Sequence, residues 1–150
     1  MQAKTILWPT DLSEHSLKAG DYVADLAQRF EARVVLLYVG FDLENYFPAY
    51  GAPGPEQVEA FRDWELAEAE KRMQKLCDTT LNVCPGVDRR VEVGDPARTI
   101  VKVAEEEGAE FIVIATRGRG GGDDPRPGIG SVTQRVAHLA PMSVFIVNPR

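Results

Sequence analysis

The segment at residues 5–39, TILWPTDLSEHSLKAGDYVADLAQRFEARVVLLYV, decides the fold class. Its first apolar run ends at Pro9 and its last covers residues 33–39, and each run predicts a buried strand. Between them Ser13 is a natural N-cap for a helix that begins near Glu14. Apolar residues recur along this helix at helical spacing: Leu17, Tyr22, Val23, Leu26, Ala27 and Phe30. Two strands joined by a helix form a βαβ unit, so the two strands are predicted to be parallel.

The rest of the chain continues the alternation of strands and helices. A loop at 40–55 precedes an amphipathic helix at 57–81 and a more exposed strand at 89–93. Asp95 is the expected cap of the next helix, and a very apolar strand follows at 111–115. After a Gly- and Arg-rich loop at 116–130, Ser131 is expected to cap a helix that leads to a last strand at 143–147. The sequence predicts one α/β domain over residues 1–150: a doubly wound, five-stranded parallel sheet with helices on both faces.

Composition excludes several classes of protein. The chain has 150 residues, 44% of them hydrophobic, and carries 17 Lys and Arg against 23 Asp and Glu, for a net charge of −6. An acidic balance argues against nucleic acid as a partner, since nucleic-acid binders show a basic face. No run approaches the roughly 20 apolar residues that span a membrane, and the N-terminus shows no cleavable signal. We therefore expect a cytoplasmic protein without membrane partners, in which Cys77 and Cys84 stay reduced.

The candidate ligand site follows from the fold class. In an open parallel sheet, ligands bind beyond the carboxyl ends of the strands, where the strand order reverses. Three segments should meet there: Pro9-Thr10-Asp11, Val39 and the loop at 116–131. The loop's glycines and arginines, followed by Gly130-Ser131 at a helix start, suit a phosphate, although a merely flexible loop would have the same composition. Asp11 is a candidate for binding a ribose, a base or a metal-bound water, or else it shapes the turn.

The sequence gives no positive sign of catalysis. It contains no recognisable Ser/His/Asp or Cys/His set and no lysine after a glycine-rich loop of the Walker type. The two histidines, His15 and His138, have no metal-ligand spacing with the cysteines. We therefore expect a protein that is not an enzyme and supplies no metal ligands of its own.

Four separated motifs together resemble the universal stress protein family. They are residues 6–16 (ILWPTDLSEHS), 93–97 (VGDPA), 111–114 (FIVI) and 130–141 (GSVTQRVAHLAP). Because they follow one another in the family's order from residue 6 to residue 141, the resemblance extends over nearly the whole chain. The resemblance implies an adenine nucleotide α-hydrolase-like fold and a homodimer joined through the last strand. Members of one branch of the family bind ATP together with Mg²⁺ or Mn²⁺, so the resemblance also makes ATP a candidate ligand of this protein.

The family's phosphate loop, G-x2-G-x9-G-[ST], is not matched throughout. Gly130-Ser131 is the only Gly followed by Ser or Thr, and counting back from it gives Gly120 and then Arg117 in place of the first glycine. Alignment on the strand end instead puts Ala115 at the first glycine and Gly118 at the second, in a longer loop. We prefer this second register because strand ends are fixed by the sheet and loop lengths vary.

By resemblance, one set of residues would hold the nucleotide: Pro9, Thr10, Asp11, Val39, Ala115, Arg117, Gly118, Gly130, Ser131 and Val132. The alternative hypothesis is a dimeric interaction module of the same fold without nucleotide. It would act through its surface and the loop at 40–55, where Tyr46, Phe47 and Tyr50 lie. An enzyme acting on ATP is a third and weaker alternative.

Overall fold

Helices and strands alternate along the whole described chain. The structure, a computed structural model, describes residues 5–40, 54–116 and 128–148. Its elements are β1 (Thr5–Pro9), α1 (Glu14–Leu17), α2 (Gly20–Phe30), β2 (Arg33–Gly40), α3 (Pro55–Asp78), β3 (Val87–Val93), α4 (Pro96–Glu106), β4 (Phe111–Ala115), α5 (Ser131–Leu139) and β5 (Ser143–Val147).

The five strands form one parallel sheet in the order β3-β2-β1-β4-β5. Each strand runs parallel to its neighbours, as expected when a helix connects consecutive strands. From β1 the chain moves outward through β2 to β3, then crosses to β4 on the other side of β1. The predicted doubly wound, five-stranded parallel sheet is confirmed, and its strand order reverses between β1 and β4.

Alternation along the strands divides the core into two layers. Ile6 and Trp8 in β1 pack with α2 and α3 on one face of the sheet. Leu7, between them in the sequence, packs with α4 and α5 on the other face. Every residue of β1 and β4 is buried, whereas the edge strand β3 is exposed or half-buried along its length, as the sequence predicts.

The first helix is shorter than predicted because it divides into α1 and α2. The Ala19 amide donates to the Ser16 carbonyl oxygen at 3.1 Å, a tight turn that ends α1, and α2 begins at Gly20. A Cβ placed at Gly20 would lie 2.9 Å from both Trp8 and Thr80. The close approach of the chain to the buried indole therefore depends on a glycine at this position.

Candidate functional site

We call the crevice the place at the carboxyl edge of the sheet where the pairing of β1 with β4 stops. Strand β1 pairs with β2 at five positions, but with β4 only at Ile6–Phe111 and Leu7–Ile112. The β1–β4 ladder thus ends before either strand does. Pairing stops where the strand order also reverses, which is the usual place for a ligand in this fold class.

The turn after β1 is fixed by its own side chains. The hydroxyl oxygens of Thr10 and Ser16 are 2.8 Å apart, and Thr10 Oγ1 also accepts a hydrogen bond from the Leu12 amide at 3.0 Å. Asp11 Oδ1 accepts from the Ser13 amide at 2.9 Å, and Ser13 Oγ accepts from the Ser16 amide at 3.2 Å. Asp11 therefore shapes the turn, one of its two predicted roles, and Ser13 caps α1 as predicted.

Leu12 has a left-handed backbone conformation, with φ of 63°, although it is not a glycine. Its side chain is 2% exposed, so burial in the core offsets the backbone strain. Arg72, in α3, donates a hydrogen bond to the Leu12 carbonyl oxygen. Sequence reasoning missed both features, because leucine at this position carries no turn signal and Arg72 is 60 residues away.

Two predicted site residues lie inside strands and not after them. Pro9 is the last residue of β1 and is buried, and Val39 is the next-to-last residue of β2. The half-buried Val39 side chain packs on the α4 and α5 face of the sheet. Thr10 is still hydrogen-bonded to β2, since its amide donates to the Leu37 carbonyl oxygen at 2.9 Å. Pro9, Thr10 and Val39 therefore lie together at the carboxyl ends of β1 and β2.

The start of α5 is tied directly to the end of β4. The Gly130 amide donates to the Thr116 carbonyl oxygen at 2.6 Å, and Thr133 Oγ1 donates to the Ala115 carbonyl oxygen at 2.8 Å. Gly130, with φ of −62° and ψ of 157°, is the N-cap of α5. The predicted cap, Ser131, is instead the first helical residue and is exposed. These bonds bring Ala115, Gly130 and Ser131 together at the crevice.

The amino end of α5 presents backbone donors. Gly130 supplies no side-chain cap, and no acidic residue lies in the first turn. The amides of Ser131, Val132 and Thr133 have no acceptor within the helix, because the first turn of an α-helix lacks preceding carbonyl groups. The positive end of the helix dipole adds to these donors. This end of α5 is suited to an anion such as a phosphate.

The neighbouring helix α4 begins differently. Asp95 is its N-cap, as predicted, and Oδ2 of Asp95 accepts from the Arg98 amide at 3.0 Å. Asp95 also receives two hydrogen bonds from Arg135 of α5, each 3.0 Å long. Hydrogen bonding by the Arg135 guanidinium lowers the pKa of Asp95 below its usual value. This link between α4 and α5 was not predicted, although each residue lies in a recognised motif.

Several predicted features lie elsewhere. Arg117 and Gly118, as well as Tyr46, Phe47 and Tyr50, fall outside the described residues. Cys77 and Cys84 are free, half-buried thiols. Across residues 5–40, 54–116 and 128–148, no group of three or more His, Cys, Asp or Glu side chains could hold a metal ion. None of the described helices is both long and apolar enough to cross a membrane.

The crevice, the turn after β1 and the start of α5 lie at the carboxyl edge of an open parallel sheet, which is the usual ligand-binding edge in the doubly wound α/β class. The profile of the universal stress protein family matches residues 2–148, and the chain belongs to that family. A universal stress protein of Methanocaldococcus jannaschii is 33% identical to it over 149 residues, which cover 96% of this chain and 81% of that protein.

Solved structures of the family share the fold. Universal stress protein UspA from Lactobacillus plantarum superimposes with a TM-score of 0.83 at 26% identity, over 99% of each chain. A universal stress protein in complex with cAMP has a TM-score of 0.63 at 24% identity, over 100% of each chain. One from Archaeoglobus fulgidus in complex with dAMP has a TM-score of 0.67 at 19% identity, over 99% of this chain and 100% of that chain. At these lower identities the last two comparisons establish the fold alone.

Proposed function

We propose that the protein binds ATP at the crevice between β1 and β4 and acts as a cytoplasmic, homodimeric stress-response protein governed by its nucleotide state. The observation that carries the proposal is the amino end of α5, which lies at the end of β4 and whose first amides are not capped by a side chain of the described residues. Membership of the universal stress protein family supports it. Two proteins of the same fold were solved in complex with the adenine nucleotides cAMP and dAMP, which also supports it.

In this proposal the nucleoside lies against the ends of β1 and β2. Pro9 and Val39 offer apolar surface for the base, and Val39 is only half-buried. In this proposal the carboxylate of Asp11 accepts hydrogen bonds from the ribose hydroxyls, and the bond from the Ser13 amide to its Oδ1 orients it. Thr10 is buried, so it supports the site through its backbone position.

The phosphates lie at the amino end of α5 in this proposal. The amides of Ser131 and Val132 and the Ser131 hydroxyl donate to them, and Gly130 lets them approach closely. Arg117 and Gly118 are proposed as further phosphate ligands from the sequence pattern. Mg²⁺ or Mn²⁺ would accompany the nucleotide and neutralise part of the phosphate charge.

Ala115, which replaces a glycine of the family's loop pattern, does not stand against the proposal. Its side chain packs in the core on the α2 and α3 face of the sheet. Helix α5 packs on the opposite face, where Val136 is buried. The methyl group of Ala115 therefore points away from the face that carries α5, and its backbone carbonyl still binds Thr133.

The proposed homodimer forms through β5. This strand is at one end of the sheet order, and Phe145 in its middle is 50% exposed. Edge strands with exposed aromatic residues invite pairing with another chain. A second copy paired along β5 would cover Phe145 and complete the hydrogen bonding of that edge.

A second candidate function is that of an interaction module without nucleotide. The observation in its favour is an aromatic pair on α3, Phe61 and Trp64, which are 42% and 61% exposed with ring centroids 5.8 Å apart. Aromatic residues are enriched in protein interfaces. In either case we propose that the protein turns over no substrate.

The test places an aspartate at the N-cap of α5. Gly130→Asp would cap the helix with a preferred residue and put a negative charge where the phosphates bind. We expect the Kd for Mg-ATP to rise at least about tenfold, because a full charge at this distance opposes the anion, while the melting temperature does not fall. Calorimetric titration measures the first quantity and circular dichroism the second.

Gly54→Asp is the matched control, since Gly54 is the N-cap of α3, lacks a side-chain cap and has open space around its Cβ position. It should leave the Kd within about twofold of the wild-type value. If Gly130→Asp binds Mg-ATP as tightly as the wild type does, the phosphates do not lie at α5. If the wild-type protein itself binds no nucleotide, the interaction module becomes the better account.

A further inference from the structure

The ion pair between Asp95 and Arg135 joins the start of α4 to α5, the helix that begins at the end of β4. Arg135 Nη1 is 3.0 Å from Asp95 Oδ1 and Nη2 is 3.0 Å from Oδ2, a two-pronged geometry that fixes both groups. The same carboxylate caps α4 through the Arg98 amide. Asp95 therefore has one partner in its own helix and a charged partner in the next.

Arg135 lies about one turn after the start of α5. Arg135 is four residues after Ser131, which corresponds to about 6 Å along the helix axis. Side chains of a helix lean toward its amino end, so the Arg135 guanidinium extends back toward the proposed phosphate site. Asp95 is held on that guanidinium, at the same carboxyl edge of the sheet.

A carboxylate in this position has opposing effects. It stabilises the start of α4 by capping it and by its favourable interaction with the helix dipole. An uncompensated negative charge would also repel an anion at the neighbouring start of α5. The first turn of α5 itself contains no acidic residue. Within the described part of the chain, Asp95 is the acidic side chain that forms an ion pair with a residue of α5.

We infer that Arg135 is the charge-compensating residue of the phosphate site: it neutralises Asp95, so that the cap of α4 does not repel the phosphates at α5. The inference rests on the proposed nucleotide binding and deepens it, since it makes selection for the phosphorylated ligand depend on an ion pair. Arg135 acts through Asp95 and through the field at α5, without having to touch the ligand.

The test is a charge cycle with two nucleoside probes. Arg135→Gln removes the positive charge and keeps a residue of good helix propensity. Asp95→Asn removes the negative charge and keeps a preferred N-cap. The two single variants and the double variant are titrated with Mg-ATP and with adenosine, which lacks phosphate, in a buffer of low ionic strength, and their melting temperatures are recorded.

Arg135→Gln should raise the Kd for Mg-ATP about three- to tenfold, the effect expected of one exposed charge near a polyanion. Asp95→Asn should lower it, and the double variant should return to within about twofold of the wild type. Adenosine should bind all four proteins alike. Salt at about 0.5 M should diminish the differences for ATP, because it screens exposed charges.

Two results would overturn the inference alone: a double variant that binds Mg-ATP as weakly as Arg135→Gln, or a loss of adenosine affinity that parallels the loss for ATP. Either would mean that the ion pair supports the packing of α5 and does not adjust its charge. Wild-type protein that binds neither probe would overturn the proposed function, and with it this inference.

Discussion

Arg72, in α3, donates a hydrogen bond to the carbonyl oxygen of Leu12, the buried residue whose left-handed backbone follows Asp11. The turn that carries Asp11 is therefore held by a helix on one face of the sheet, while the proposed phosphate helix α5 packs on the other. The crevice joins the two layers, and the position of Asp11 depends on both the strained turn and its contact with α3.

Replacing Arg72 should destabilise the protein and disturb this turn. Arg72→Met keeps the aliphatic stem but leaves the Leu12 carbonyl oxygen without its charged donor. We expect the free energy of unfolding to fall by about 1–2 kcal/mol, and the affinity for Mg-ATP to fall as well. Urea denaturation measures the stability. The control is Lys71→Met, because Lys71 is exposed and its ion pair is with Glu68 of the same helix. Equal stability of the two variants would contradict the anchoring role of Arg72.

Gly20 should not tolerate a side chain. The added methyl of Gly20→Ala would lie 2.9 Å from Trp8, whose side chain is fully buried, and 2.9 Å from Thr80. We expect a loss of about 1–3 kcal/mol from overpacking, partly offset by the better helix propensity of alanine. Thermal unfolding followed through the fluorescence of Trp8 and Trp64 checks it. At Gly86 the nearest atom to an added Cβ is 3.8 Å away, so Gly86→Ala should be close to neutral. If Gly86→Ala destabilises the protein more than Gly20→Ala does, the packing of Gly20 is not the cause.

The ion pair at Asp95 predicts a small dependence of stability on pH. Arg135 lowers the pKa of Asp95 below the usual 3.8, so the ionised form is favoured in the folded state. The resulting stabilisation is complete above about pH 4–5 and is lost as the pH falls through the folded-state pKa. Asp95 is 41% exposed, which limits the effect to less than about 1 kcal/mol. Urea titrations should show the wild type and Asp95→Asn converging in stability below pH 3.8, and a widening gap would contradict this sign.

The proposed dimer predicts a specific effect at β5. Phe145→Lys places a charge in the middle of the exposed edge strand, where Phe145 now packs against Phe111. We expect the variant to be monomeric by light scattering at concentrations where the wild type is dimeric. Trp64→Ser removes a comparably exposed aromatic residue from α3 and should leave the dimer intact. A monomeric wild type, or a dimer that survives Phe145→Lys, would exclude assembly through β5.

The sequence was sufficient to predict the strands of the sheet, because hydrophobic periodicity indicates which faces are buried. The continuous apolar runs at 5–8 and 111–115 predicted two buried strands, and both prove to be buried along their whole length. The alternation in 89–93 likewise predicted a more exposed strand, which the structure places at the edge. A general rule of parallel sheets then predicted a ligand site at the carboxyl edge, whereas the strand order β3-β2-β1-β4-β5 is known only from the structure.

Details of the site were harder to predict, because they depend on contacts between distant segments. The pairing of Asp95 with Arg135 spans 40 residues, and that of Arg72 with Leu12 spans 60. Capping rules favoured Ser131 over Gly130, since serine carries a side-chain acceptor and glycine does not. The structure instead uses Gly130, whose amide binds the end of β4. The start of α5 is therefore set by the tertiary hydrogen bond of Gly130 and not by the local preference for serine as N-cap.

The most direct test of nucleotide binding is the nucleotide content of freshly purified protein. The protein is denatured, and the released small molecules are separated by anion exchange and compared with Gly130→Asp treated identically. We expect close to one ATP per wild-type chain and much less from the variant. Wild-type protein that releases no nucleotide and shows no rise in melting temperature with millimolar Mg-ATP would contradict the proposed nucleotide binding.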